Sequence, residues 1–106
     1  MSERRGFPRR RRRFLVSFEL AGRTCSGFTW DLSHTGVFIA SPQMPRIGET
    51  LSASIEGPGG KKVPCSGKVV RARRLPSGLS FTETSGFCLQ LAGYSEDYFK
   101  LVESIA

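Results

Sequence analysis

The chain has 106 residues, room for one modest core, and its 39% hydrophobic and 10% aromatic content excludes a disordered class. No apolar run approaches the roughly 20 residues that span a bilayer, and no apolar stretch of a secretion signal follows the basic start, which points to a cytoplasmic protein without membrane insertion. The net charge of +7 is uneven: residues 1–13 carry seven arginines against Glu3, while residues 14–106 carry nine basic and eight acidic side chains. That is a nearly neutral body with a basic arm, and not a body with a duplex-binding face.

Two segments are expected, a flexible arm over 1–13 and a single domain over 14–106. Seven guanidiniums in the arm repel one another and have no apolar partners, so the arm orders only against an anion. Val16, Phe18 and Leu20 alternate with Ser17 and Glu19 as a first strand. After the turn Ala21-Gly22-Arg23, a second strand sets Thr24, Ser26, Phe28, Trp30 and Leu32 against Cys25, Gly27, Thr29 and Asp31, which puts Trp30 in phase with core positions. Ser33-His34-Thr35-Gly36 breaks it, Val37 to Ala40 is extended, and Pro42, Pro45 and Gly48 mark a loop.

Leu51, Ala53 and Ile55 alternate next, and Gly57-Pro58-Gly59-Gly60 turns into a long strand from about Lys62 to Leu75. Leu79 to Glu83 reads as a short strand, and Phe87, Leu89 and Leu91 alternate in a last one. Ser95 is a good N-cap, Glu96 and Asp97 suit a helix start, and Phe99, Val102 and Ile105 recur at helical spacing over about 95–105. About six short strands favour a mainly β fold, a small antiparallel β-barrel, because closure removes unpaired edges; the short C-terminal α-helix would cap one end. Cys25, Cys65 and Cys88 are odd in number and widely spaced, which suggests apolar packing over a disulfide framework or metal knuckle.

Function concentrates in Asp31-Leu32-Ser33-His34-Thr35-Gly36. An ionised Asp31 can accept from the N1–H and N2–H2 donors of guanine, Ser33 can donate or accept beside it, and Gly36 permits positive φ or close backbone approach. Asp, Ser and Gly also build turns for purely structural reasons, and that reading stays open on this segment alone. The arm shifts the balance: arginine pairs bidentately with guanine O6 and N7 and with phosphate, and the arm's basic residues are all arginine. His34 is the single histidine and has no acid/base partner nearby in sequence, so no enzymatic activity is expected.

Arg5-Gly6-Phe7-Pro8-Arg9, an RxxxR arm, followed after a strand by the DxSxxG turn at Asp31 to Gly36, resembles the PilZ domain across essentially the whole chain. The resemblance implies a six-stranded split barrel and a bacterial receptor for the second messenger cyclic di-GMP, with no cofactor. It implies contacts from Arg5 and Arg9 to guanine and phosphate, guanine-edge reading by Asp31 and Ser33, a turn held open by Gly36, and Arg4 as an auxiliary. Arg10 stands where the family's ligand stoichiometry, one or two molecules, is linked. Arg9 to Arg13 also fits RxxxR, although the 22 positions from Arg9 to Asp31 favour the first register. The expected mechanism is a switch in which ligand orders the arm and changes the surface offered to a downstream protein partner. The rival class is a non-specific nucleic-acid-binding barrel with a basic arm; against it, no interleaving of basic and aromatic residues is read along the barrel strands, and Asp31 would sit awkwardly in an anionic groove.

Overall fold

The computed structural model describes residues 12–73 and 85–105. Six strands appear among the described residues: β1 (Leu15–Leu20), β2 (Arg23–Leu32), β3 (Gly36–Ala40), β4 (Thr50–Glu56), β5 (Lys62–Arg73) and β6 (Gly86–Tyr94). They close in the order β1-β2-β3-β6-β5-β4, with every neighbouring pair antiparallel and β1 bonded to both β2 and β4. Closure leaves no free edge, as the strand count and alternation anticipate. The short strand expected at Leu79 to Glu83 lies outside the described residues.

Alternation fills the barrel. Val16, Phe18, Leu32, Val37, Ile39, Ile55, Val69, Phe87 and Leu89 are buried inside, and the Phe18 and Phe87 rings meet edge to face at 5.2 Å. Cys65 joins this core, while Cys25 and Cys88 are half-buried and all three thiols are unpaired.

The helix α1 (Glu96–Glu103) is capped by Ser95, whose hydroxyl accepts from the Tyr98 amide at 3.2 Å. It stops the barrel end where β1 and β3 begin and β2 and β4 finish: a Cβ on Gly57, after β4, would lie 3.1 Å from Leu101. The buried residues here are Tyr98, Leu101, Val102 and Ile105. Phe99, expected on the apolar stripe, is 41% exposed, because the inward stripe of this short helix runs one residue earlier.

The second strand departs from simple alternation. Thr29 pairs with Ile39 and Asp31 with Phe38, so Trp30 is an extra residue, a β-bulge. The bulge resets the faces: Thr29 and Leu32 both point inward, Phe28 is 46% exposed and Trp30 is half-buried. Trp30 is therefore not a core residue in phase with Leu32, as strict alternation had implied.

Candidate functional site

The bulge also organises the root of the arm. Next to the bulge, Thr29 bonds to the chain preceding β1. Its amide donates to the Phe14 carbonyl at 2.8 Å, its Oγ1 accepts from the Phe14 amide at 2.8 Å, and its hydroxyl donates to the Arg12 carbonyl. The backbone at 12–14 is thereby fastened to the strand that carries Asp31, two positions before it. Arg13 then lies over two aromatic rings on the barrel exterior, 5.5 Å from the Phe28 centroid and 5.8 Å from that of Trp30, and Arg12 lies 4.9 Å from the Phe14 ring.

Asp31 sits half-buried on the outer face of β2, paired in register with Phe38. Phe38 pairs with Cys88, and Cys88 with Arg71, so one row of outward positions runs from a carboxylate through an aromatic ring to a guanidinium. Arg73 reaches back over the Phe38 ring at 5.4 Å. Gly86 makes room beneath, since a Cβ there would stand 2.6 Å from the Phe38 ring and 2.3 Å from the Ile39 carbonyl.

The turn after Asp31 is tightly built. The Ser33 amide donates to the Gly36 carbonyl at 2.8 Å, and the Thr35 amide donates to Ser33 Oγ at 3.3 Å. Ser33 is buried, and the other contacts of its Oγ, to Thr35 Oγ1 and the Gly36 carbonyl, are both 3.5 Å, at the limit of hydrogen bonding. Gly36 starts β3 without a positive φ; what it requires is close approach, because a Cβ would come 3.1 Å from the Leu89 carbonyl. Of the two roles the sequence allowed Gly36, backbone approach is the one present.

His34 has the carboxylate partner that sequence proximity did not reveal. Its Nε2 lies 2.7 Å from Glu103 Oε2, and its ring stacks on Phe99 at 4.6 Å. From the core side, the buried Tyr98 hydroxyl donates to the Ser33 carbonyl at 2.6 Å, with the Gly36 carbonyl 3.2 Å away. Thr29, Tyr98, Phe99 and Glu103 thus belong to the neighbourhood of the turn, and none was singled out for it from sequence.

The structure brings Asp31, Ser33 and Gly36 together at the barrel end where the arm departs. Arg4, Arg5, Arg9 and Arg10 lie outside the described residues. A depression of about 480 Å³ between Leu20, Met44 and Ile47 lies at the opposite end. Among the described residues no group of His, Cys, Asp and Glu is arranged to hold a metal ion, and no helix is long and apolar enough to cross a membrane.

Residues 3–91 match the family model of the PilZ domain. No curated protein matches the sequence. Among solved structures, the chain is similar to the inhibitor of motility MotI/DgrA of Bacillus subtilis, at 16% identity and a TM-score of 0.77, over 98% of this chain and 50% of that one. It is also similar to the PilZ domain of YcgR from Escherichia coli, determined with c-di-GMP, at 14% identity and a TM-score of 0.71, over 95% of this chain and 87% of that one. The chain thus spans about half the length of the Bacillus protein, and at these identities the likeness is one of fold.

Proposed function

The chain belongs to the PilZ domain family, and from that premise we propose that it is a receptor domain for cyclic di-GMP whose ligand is gripped between the arginine arm and the turn Asp31 to Gly36. The observation that carries this reading is the attachment of Arg12 and Phe14 to Thr29, two positions before Asp31. An extended chain advances at most about 3.5 Å per residue, so Arg9 is tethered within about 10 Å of Arg12 and Arg5 within about 25 Å. An arm rooted there has the turn within its reach.

In this mechanism the Asp31 carboxylate accepts from N1–H and N2–H2 of one guanine. Arg9 and Arg5 place their forks on guanine O6 and N7 and on the phosphates, with Arg4 assisting. Ser33 exchanges its two 3.5 Å contacts for the guanine edge, a small loss because those contacts are weak. Arg10 and the neighbouring arginines set whether one or two ligand molecules fill the site. With its charge partly offset by two phosphates, the arm settles on the barrel and presents a new surface to a protein partner. No step transforms the ligand, and the domain acts by binding. Motility is the first process to test, since one similar structure is of an inhibitor of motility.

One observation favours a second reading, a general nucleic-acid binder. Phe28 and Trp30 face outward under Arg13, and Phe38 lies under Arg73, which is the aromatic and basic interleaving that strand alternation did not reveal. Asp31 beside Phe38 opposes it by adding a negative charge to a phosphate path.

Calorimetric titration with cyclic di-GMP in excess GTP tests the receptor reading. We expect saturable micromolar or tighter binding, lost in both Arg9→Ala and Asp31→Ala. Absence of heat from the wild-type chain would overturn it.

A further inference from the structure

Tyr98 is the largest fully buried side chain of the described residues, and it comes from a helix beyond residue 91, where the family match ends. Its ring fills the barrel end, a task that phenylalanine would perform as well. Its hydroxyl does something else, donating to the carbonyl of Ser33 with that of Gly36 close by. The Gly36 carbonyl is also the acceptor that closes the turn. From the next position of α1 and from one turn beyond it, Phe99 stacks on the His34 ring and Glu103 places its Oε2 2.7 Å from His34 Nε2. Three residues of α1 therefore hold three of the four turn residues, across 62 to 69 positions of sequence.

We propose that Tyr98 is a positioning residue for the ligand turn, and that through it the docking of α1 and the binding of cyclic di-GMP at Asp31 to Gly36 strengthen one another. The inference rests on the receptor reading above and adds to it a route from ligand to helix. Linkage makes the route reciprocal: if the docked helix raises ligand affinity by some factor, bound ligand favours the docked helix by the same factor. Phe99, exposed on the outside of α1 while stacked on His34, then carries the state of the turn to the surface.

The test combines calorimetry with amide hydrogen exchange on the full chain. Cyclic di-GMP is expected to slow exchange of the α1 amides in the wild-type protein. Tyr98→Phe, which keeps the ring and removes only the hydroxyl, is expected to melt cooperatively, to bind cyclic di-GMP about tenfold more weakly, and to lose the ligand-dependent slowing in α1. A purely structural hydroxyl would shift the melting temperature and leave the slowing intact. Should Tyr98→Phe fail to fold, Phe99→Ala and Glu103→Gln replace it, with affinity expected to fall about threefold. Unchanged affinity in a folded variant, or α1 exchange indifferent to ligand in the wild type, would overturn the coupling. A wild-type chain that does not bind at all defeats the receptor reading itself, and shows this before any variant is measured.

Discussion

Thr29 performs two tasks with one hydroxyl, accepting from the Phe14 amide and donating to the Arg12 carbonyl, so its replacement affects both folding and the root of the arm. Thr29→Val keeps the shape and orphans a buried amide, which costs about 1–3 kcal/mol; urea unfolding should show a lower midpoint with the slope unchanged. Cys65 gives a pH-dependent prediction. Burial pushes its thiol from an ordinary value of 9 up to about 11. Between those values the folded chain holds a proton that the unfolded chain has released, so the stabilisation is complete below pH 9 and is lost as pH rises towards 11. The difference is worth about 2–3 kcal/mol and should vanish in Cys65→Ala, as urea midpoints at pH 8 and pH 11 will show. The turn that carries Asp31, Ser33 and Gly36 was legible in sequence because turn chemistry is local. Thr29 and Tyr98 were not, since their partners lie 15 to 65 positions away and a buried threonine or tyrosine looks like any core residue in a linear pattern.

Strands with strict alternation, such as β1 and β4, were readable to within a residue, as was the capped start of α1. Alternation misleads where a bulge adds a residue. One at Trp30 turned Phe28 outward, and register shifts between Ser66 and Gly67 and between Val69 and Arg71 bend β5 against β6. Gly67, at the first β5 shift, is a local trace of the shifts, since a Cβ there would stand 2.2 Å from the Gln90 carbonyl. Gly86 shows how little space the β3–β6 pairing leaves. Gly86→Ala would drive a methyl into the Ile39 carbonyl and the Phe38 ring, and is expected to cost about 1–3 kcal/mol or more. Thermal denaturation checks it, and a melting temperature equal to wild type would mean that β3 and β6 separate more easily than this packing implies.

At the scale of the molecule, one end of the barrel gathers the arm's root, the turn with Asp31 and the face of α1, although they are far apart in sequence. The opposite end has no comparable convergence among the described residues. A charge map of the sequence already separated a basic arm from a neutral body, but only chain closure shows where the arm is fastened. That fastening puts the arm's root two positions from Asp31, the residue on which a specific receptor and an arm that seeks any anion would differ. A polyanion binder depends on charge alone and weakens steeply with salt, whereas a guanine reader depends on one carboxylate. The most direct measurement is therefore the affinity for cyclic di-GMP of wild type and Asp31→Ala, side by side at low and physiological salt. We predict that wild-type binding persists at physiological salt while Asp31→Ala binds at neither. Equal binding by the two proteins, collapsing together as salt is raised, would contradict the account.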